Sequence, residues 1–392
     1  MTELSRNNPE TRVSAYLSVM VKNEGADLFL HTGAKPTIKG PFGFKVLDEV
    51  LEPGTTEQML RAMLSDSRMA EFEENGEVDF SFSIGAVGRF RGNAFRQRGD
   101  VSIVMRHVKG DIPTIDGLGL PPVLKELVSQ KHGLIVVAGA TGSGKSTSLA
   151  AMIDHRNSSQ PGHIITLEDP IEFMHPHKKS LVAQREIGTD TLSFESGMRA
   201  AMREAPDVIL MGEIRDTVSM EYAIKFANTG HLCLSTIHAN NAVSSLERML
   251  SFFDREVLEQ EAKRLSQNLR AVICQRLVPA RDGTKAAAIE ILINTPRMAD
   301  LIAKLDYEAM KTTMEQGGNY GMQTFDQALC KLYDEGRISD DQAMEFAESK
   351  TRVMQHVRFQ SASAQQRDFA AGLSLQDIEE DEEEENALHQ HP

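Results

Sequence analysis

The chain has 392 residues, a hydrophobic content of 41% and a formal net charge of −15, which is enough sequence for two or three domains with buried cores. Because the balance is acidic and no strong basic stripe is present, the composition argues against a general DNA or RNA binder. The chain lacks both the long apolar run of a transmembrane helix and the basic, then apolar, start of a secretory signal. We therefore expect a cytoplasmic protein with no transmembrane segment.

Residues 25–108 contain short runs that alternate between apolar and polar side chains. Phe80, Phe82 and Ile84 alternate in this way, which is typical of strands with one buried face. We predict a small α+β domain over 1–110. A segment rich in Gly and Pro follows, and we predict a linker at 111–122.

From residue 123 onward, strand-like and helix-like segments alternate, which predicts a parallel sheet covered by helices over 123–296. The expected elements are a helix at 123–130, a strand at 134–140, a helix after Lys145, strands at 163–169 and 207–213, a helix at 217–228, a strand at 232–237, helical structure over 242–275 and a returning strand at 289–293. Residues 297–359 read as a helical C-terminal subdomain with breaks near Gly317, Gly318 and Gly336.

The last part of the chain is polar, Gln-rich and then acidic. Residues 377–385 read DIEEDEEEE and carry eight acids and no base. Because such a composition cannot bury a core, we predict that 360–392 is disordered. We favour a role in solubility over competition for basic partner surfaces.

The potential metal ligands do not form a recognisable site. Cys233, Cys274 and Cys330 are far apart and not in Cys-X-X-Cys spacing, so we expect buried small side chains in place of disulfides or zinc ligands. His175 and His177 are two residues apart with no nearby cysteine or acidic pattern. We interpret them as part of a surface loop.

Residues 139–146 read GATGSGKS, which matches the P-loop pattern GxxxxGK[ST] directly after the apolar run LIVVA. Such a loop points backbone N–H groups at phosphates, its lysine contacts the β- and γ-phosphates, and the hydroxyl of Ser146 is expected to ligate Mg²⁺. The sequence therefore predicts binding of ATP with Mg²⁺. The residues expected to form this site are Gly139, Ala140, Thr141, Gly142, Ser143, Gly144, Lys145, Ser146 and Thr147.

Polar residues also end the other apolar strands, at the sheet edge where ligands of open parallel sheets bind. Glu168 is the candidate for orienting or deprotonating the attacking water, and Glu213 for holding Mg²⁺ through water. His238 is the candidate for sensing the γ-phosphate or for relaying its state to a neighbouring subunit, with His231 supporting it. Taken singly, each acid could instead end a strand or cap a helix, and a histidine in such a position is more often structural.

Five arginines lie between residues 89 and 106. Usually such residues form a solvated face. However, an arginine supplied by a neighbouring subunit accelerates phosphoryl transfer by about 10³- to 10⁵-fold. Arg91, Arg98 and Arg106 are the candidates for this role.

Five segments of the sequence resemble, in order, five motifs of the secretion ATPase superfamily. Within that superfamily they are most similar to the retraction ATPases of type IV pili, the PilT/PilU type. GRFRGNAF, GATGSGKST, ITLEDPIEF, DVILMGEIRD and TGHLCLSTIHAN are similar to that family's arginine strand, Walker A motif, Asp box, Walker B motif and His box. The resemblance covers 25–339.

The resemblance implies an α/β fold, with a PAS-like N-terminal domain and a RecA-like ATPase domain, in a homohexameric ring. It implies that Glu168 is the catalytic acid, that Glu213 is the Walker B acid, and that His231 and His238 form the His box. It also implies a paralogous retraction ATPase and an inner-membrane pilus platform protein as partners, with a location at the inner membrane. The absence of the tetracysteine zinc motif of assembly-type relatives favours retraction over extension.

One stretch departs from the principal retraction motor. Its helix AIRNLIRE is replaced here by RMADLIAKLD over 297–306, and the second arginine of the motif is lost at Ala303 and Lys304. Together with the long acidic tail, this resembles the accessory PilU-type paralogue. The expected function is thus an ATP-hydrolysing ring subunit that drives or assists pilus retraction. The alternatives are a nucleotide-gated accessory partner with little motor activity of its own, a type II or type IV secretion ATPase and, less favoured, a small-molecule kinase.

Overall fold

A computed structural model describes residues 8–41, 43–85, 87–108 and 110–360. The predicted tail from residue 361 lies outside the described residues. In chain order the helices are α1 (Pro9–Lys22), α2 (Thr55–Met63), α3 (Asp66–Asn75), α4 (Val123–Val128), α5 (Lys145–Ser159), α6 (Phe194–Ala201), α7 (Thr217–Asn228), α8 (Ala242–Leu250), α9 (Leu258–Asn268), α10 (Pro296–Ala303), α11 (Tyr307–Gln316), α12 (Phe325–Asp334) and α13 (Asp340–Phe346). The strands are β1 (Asp27–His31), β2 (Thr37–Gly40), β3 (Gly43–Val46), β4 (Glu77–Ile84), β5 (Gly88–Gln97), β6 (Asp100–Val108), β7 (Gly133–Ala138), β8 (Gly162–Glu168), β9 (Ser180–Glu186), β10 (Val208–Met211), β11 (Leu232–Ile237), β12 (Leu269–Pro279) and β13 (Lys285–Ile293).

The chain divides into two compact units. The first unit comprises Met1–Thr114 and Ala150–Gly212, and the second comprises Ile115–Leu149 and Glu213–Pro392. Residues 111–122 hold no helix or strand, but the functional domain boundaries stay a prediction. Of the helices that the structure describes, none combines the length and the apolar content that a bilayer crossing requires.

The N-terminal part of the first unit is an antiparallel sheet with the strand order β3-β2-β1-β6-β5-β4. Leu17, Leu28, Phe72 and Phe90 are fully buried in one hydrophobic cluster, which packs the amphipathic helices α1 to α3 against the strands. The alternation at Phe80 correctly predicted β4. Helices α1 to α3 were not predicted.

The first unit also contains a parallel set of strands in the order β10-β8-β9. In this register Leu167 lies opposite Met211 and Glu168 lies opposite Glu186. The carboxyl ends of the three strands therefore meet at one edge. Strands β8 and β10 confirm two predicted strands, whereas β9 was not anticipated.

In the second unit the strands follow the order β13-β12-β7-β11. Strands β11 and β12 run parallel to β7, and β13 runs antiparallel to β12. Every residue of β7 and β11 is buried, as the apolar runs predicted. The predicted returning strand at 289–293 is confirmed and extends back to Lys285.

One predicted element is wrong. Helical structure was expected over 242–275, but α9 ends at Asn268 and residues 269–275 belong to β12. The apolar run from Leu269 is too short for its period to separate a helix from a buried strand. Pairing with β7 on one side and β13 on the other decides the outcome, and Val272 and Ile273 are fully buried.

A buried carboxylate ties two helices of the second unit to β13. Glu290 is 4% exposed. Its two carboxylate oxygens accept from the backbone N–H groups of Ala242 (2.6 Å) and Phe325 (3.3 Å), the first residues of α8 and α12. Burial raises the pKa of Glu290 to about 7, and the Glu348 charge adds to this, although both backbone hydrogen bonds oppose it. In the folded chain Glu290 is therefore about half protonated at pH 7 and mostly protonated below pH 6.

We expect Glu290 to make the unfolding free energy depend on pH. The unfolded chain releases this proton near pH 4.5 and the folded chain near pH 7, so folding holds an extra proton between these values. Stability should therefore fall by about 3 kcal/mol as the pH rises through this window. Urea unfolding at pH 5, 6, 7 and 8 should show a shallower decline for Glu290→Gln than for the parent. Glu335→Gln, which alters an exposed residue, is the control, and an equal slope for both variants would contradict the assignment.

Candidate functional site

The P-loop occupies the turn between β7 and α5, and its backbone requires glycine. Gly139, Gly142 and Gly144 have φ values of 151, 77 and 88°, which L side chains rarely adopt. A Cβ on Gly139 would lie 2.5 Å from the hydroxyl of Ser143 and 2.6 Å from the carbonyl oxygen of Gln275. The loop is therefore closely packed, and it runs directly into the N-terminus of α5. This arrangement suits the binding of an anion such as phosphate.

Lys145, the first residue of α5, folds back over this loop. Its Nζ donates to the carbonyl oxygens of Gly139 (2.8 Å) and Ala140 (3.1 Å). Burial lowers the pKa of Lys145, and the charge of Glu213 opposes part of that effect. Ser146 is exposed in the first turn of α5, so its hydroxyl is open to a ligand. These positions fit a bound nucleotide phosphate.

Strand β11 brings a histidine to the same end of the second unit. Ile237 pairs with Ala138 in parallel register, so His238 follows β11 where the P-loop follows β7. Nε2 of His238 lies 3.1 Å from Oε1 of Glu213, whose Oε2 accepts from Nε of Arg215 at 2.8 Å. Lys145, Glu213 and His238 therefore form one cluster, as predicted.

His231 does not join this cluster. It precedes β11 at the opposite end of the strand, about 23 Å from His238 for seven residues of extended chain. Its Nδ1 is within hydrogen-bonding distance of Oγ1 of Thr229 (3.0 Å) and the carbonyl oxygen of Phe226 (3.2 Å), at the end of α7. Direct support of His238 by His231 within the second unit is therefore wrong, and any other role of His231 stays a prediction.

Glu168, in the first unit, ends β8 in a half-buried position. Its Oε1 accepts from Oγ1 of Thr166 (2.6 Å) and from Nε2 of Gln184 (3.2 Å). Burial nevertheless raises the pKa of Glu168 above its ordinary value. Such a shift brings the proton affinity of a carboxylate closer to neutral pH, which suits a general base.

Two of the predicted arginines lie side by side in the first unit. Arg91 on β5 and Arg106 on β6 are register partners. Nη1 of Arg91 is 2.9 Å from Oε1 of Glu172, and Nε of Arg106 is 2.7 Å from Oδ1 of Asp27. Since like charges directly opposite each other are unfavourable, these carboxylates offset the repulsion. Both arginines line a cavity of about 1030 Å³ that also includes Asp169.

Arg98 lies apart from this pair. It occupies the exposed turn between β5 and β6, with φ of 54°. Seven residues of strand separate it from Arg91, or about 23 Å. The first unit thus brings Arg91 and Arg106 together but not Arg98.

The predicted surface position of His175 is wrong. His175, expected in a surface loop, is 8% exposed, because its backbone N–H donates to Oε1 of Gln184 at 2.7 Å and draws the segment against β9. Burial lowers the pKa of His175 to about 4.

Cys233 and Cys274 are buried as expected, whereas Cys330 is half-buried. Across the described ranges, no three His, Cys, Asp or Glu side chains are placed to hold a metal ion.

Several residues at these sites were not predicted from the sequence. Gln184 contacts Glu168, and Gln275 packs against the P-loop. Glu172 and Glu186 hold arginines of β5. No signal in the sequence marked the two glutamines, because the strands that carry them, β9 and β12, were not predicted.

Comparison with known proteins gives consistent matches over most of the chain. Residues 13–376 match the protein family described as Type II/IV secretion system protein. The type IV pilus ATPase PilU of Pseudomonas aeruginosa is 43% identical over 369 residues, covering 93% of this chain and 97% of the relative. The type IV pilus retraction ATPase PilT of the same organism is 38% identical over 336 residues, covering 86% of this chain and 98% of the relative.

A solved structure is similar as well. The crystal structure of the pilus retraction motor PilT with bound ADP superposes with a TM-score of 0.79 at 39% identity, covering 86% of this chain and 98% of that chain. This likeness confirms the predicted α/β fold class with a helical C-terminal region.

Proposed function

Because the chain belongs to the type II/IV secretion system protein family, we propose that it is an ATP-hydrolysing subunit of a ring motor that drives or assists the retraction of type IV pili. The observation that carries the proposal is the glycine loop covered by Lys145 beside Glu213 and His238, in a chain that matches two type IV pilus ATPases over most of its length. The predicted resemblance to the PilT/PilU type is confirmed by these matches.

The residues of the P-loop divide the binding of ATP between them. Backbone N–H groups of 139–146 hold the phosphates, and Lys145 neutralises charge on the β- and γ-phosphates. The hydroxyl of Ser146 and, through water, the carboxylate of Glu213 would hold Mg²⁺, which would supply positive charge to the phosphates.

The proton of the attacking water passes to Glu168. This proposal is supported by the raised pKa of its half-buried carboxyl group and by the two side-chain donors that fix Oε1. His238 senses the terminal phosphate through its contact with Glu213. His231 has no assigned step.

Positive charge for the transition state comes from the arginine strands of a neighbouring subunit. The paired display of Arg91 and Arg106 on adjacent strands favours these two residues. Each must exchange its present carboxylate partner for a phosphate oxygen, an exchange that keeps the guanidinium paired. Arg98 remains a third candidate.

The proposed assembly is a homohexamer in the cytoplasm at the inner membrane. Its partners are the paralogous retraction ATPase and the inner-membrane platform protein of the pilus.

An accessory role is the second candidate, and α10 favours it. The segment 297–306 differs from the helix of the principal retraction motor. In this chain Arg297 and Lys304 both lie near Asp300, at 3.6 and 2.9 Å. The basic groups of this helix are thus engaged with its own acid, which favours a subunit that strengthens a partner ring over a self-sufficient motor.

Pilus retraction in cells tests the proposal and separates the two candidates. Retraction should be scored in strains that lack this chain, lack the paralogous motor, or lack both. Each deletion strain complemented with its missing gene serves as the control. Retraction in the strain with this chain alone would support an independent motor. Retraction that needs both would support the accessory role. Purified protein that does not hydrolyse ATP, alone or with the paralogue, would contradict both.

A further inference from the structure

A glutamine side chain is buried against the P-loop in the second unit. Gln275 is 4% exposed and lies on β12. Because Cys274 pairs with Ala138 in parallel register, Gln275 stands level with Gly139, the first residue of the loop. A polar side chain in such a position must have hydrogen-bond partners, since burying an amide without them is costly.

The first partner of Gln275 is the helix that carries Lys145. Oε1 of Gln275 accepts from the hydroxyl of Ser148 at 2.7 Å, and Ser148 is itself fully buried. Ser148 lies one turn after Lys145 on α5. The bond therefore joins β12 to the first turns of the helix that receives the phosphates.

The rest of Gln275 packs against both ends of the loop. Its Nε2 lies 2.7 Å from the position that a Cβ on Gly144 would take, and its backbone oxygen lies 2.6 Å from a Cβ on Gly139. One residue thus touches the first and last glycines of the turn while its amide is fixed by Ser148.

We infer that Gln275 is a positioning residue for nucleotide binding, which clamps the P-loop between β12 and the start of α5. This inference rests on the proposed function, because it assumes that the loop binds a nucleotide. The physical reason is preorganisation: backbone N–H groups held in place bind phosphate without first losing conformational freedom. Gln275 acts through its contacts with the loop and with Ser148.

Gln275→Met tests the clamp, because it keeps the length and volume of the side chain but removes both hydrogen-bonding groups. The Kd for ADP should rise about tenfold, the equivalent of losing roughly one well-placed hydrogen bond. The KM for ATP should rise in parallel, with a smaller change in kcat. Calorimetric titration with ADP measures the first quantity and steady-state turnover the other two.

Gln342→Met is the matched control. Gln342 is half-buried in the same unit, on α13, and its Oε1 accepts from the backbone N–H of Ser339 at 2.8 Å. Both variants should lower the melting temperature by similar amounts, but only Gln275→Met should weaken the binding of ADP. Equal ADP affinity for Gln275→Met and the parent would overturn the inference.

Ser148→Ala supplies a second variant should Gln275→Met fail to fold. Without the hydroxyl, the amide of Gln275 is no longer fixed, so the Kd for ADP should rise several-fold. In the double variant the two effects should be less than additive, as expected for groups in direct contact. Unchanged affinity for Ser148→Ala, or full additivity, would overturn the inference. If the parent bound no ADP, both the proposed function and the inference about Gln275 would be wrong. If the parent and every variant bound ADP equally well, only the role of Gln275 would be wrong.

Discussion

Glu168→Gln should lower the kcat of ATP hydrolysis about 10²- to 10⁴-fold, the range for loss of a positioned general base. The amide keeps the shape of the side chain but cannot take a proton from water. Because the proposed role of Glu168 is toward the attacking water, and its hydrogen-bond partners in the first unit are Thr166 and Gln184, the Kd for ATP should stay near the parent value. Single-turnover hydrolysis and ATP titration separate the two quantities.

The pH profile provides a second reading of the same residue. A base must be ionised to act, so the rate rises with pH through the pKa of Glu168. Burial raises this pKa, which places the acid limb of the profile at higher pH than an ordinary glutamate would. Thr166→Val removes a hydrogen bond that stabilises the carboxylate, and should therefore move the limb to still higher pH.

Glu195→Gln is the control for Glu168→Gln, because it neutralises an acid of the same unit that pairs with Arg199 on the surface of α6. It should leave both kcat and the acid limb unchanged. A Glu168→Gln enzyme that turns over ATP within a few-fold of the parent would remove Glu168 from the reaction. A large rise in the Kd for ATP would assign it to binding.

The sequence predicted best those features that local chemistry determines. The P-loop needs glycines at 139, 142 and 144, and their positive φ values follow from the turn itself. The ends of β7 and β11 were predictable because continuous apolar runs mark buried parallel strands. His238 and Glu213 thus came together as expected.

The features that were missed depend on long-range packing. The segment 269–275 forms a strand because β7 and β13 flank it, and no local signal reports those neighbours. His231 and His238 look equivalent in sequence, yet seven residues of strand place them at opposite ends of β11. The burial of His175 likewise follows from its bond to Gln184 on β9, a strand that was not predicted.

The cluster around Lys145 has a consequence for the roles of its members. Nζ of Lys145 has three protons, of which two are directed at the carbonyl oxygens of Gly139 and Ala140. Glu213 raises the pKa of this lysine against the effect of burial. The acid therefore helps to keep Lys145 charged in a half-buried position, in addition to its proposed role toward Mg²⁺.

Lys145→Ala should reduce kcat/KM for ATP by about 10²- to 10³-fold, as expected when a preorganised cationic donor is removed from a phosphate site. The loss has two parts, because the variant lacks the charge on the β- and γ-phosphates and also the bonds that hold Gly139 and Ala140. Lys145→Arg should not restore activity, since the planar guanidinium cannot replace a compact ammonium against two converging carbonyl groups.

Lys285→Ala is the control for Lys145→Ala. Lys285 is an exposed lysine at the start of β13 in the same unit, and its removal should leave turnover unchanged. Turnover by Lys145→Ala within threefold of the parent would mean that the glycine loop does not grip the reacting phosphates. Glu213 would then have lost its cationic neighbour without any loss of rate, so its proposed role toward Mg²⁺ would be wrong as well. The ATPase site would have to lie elsewhere in the chain.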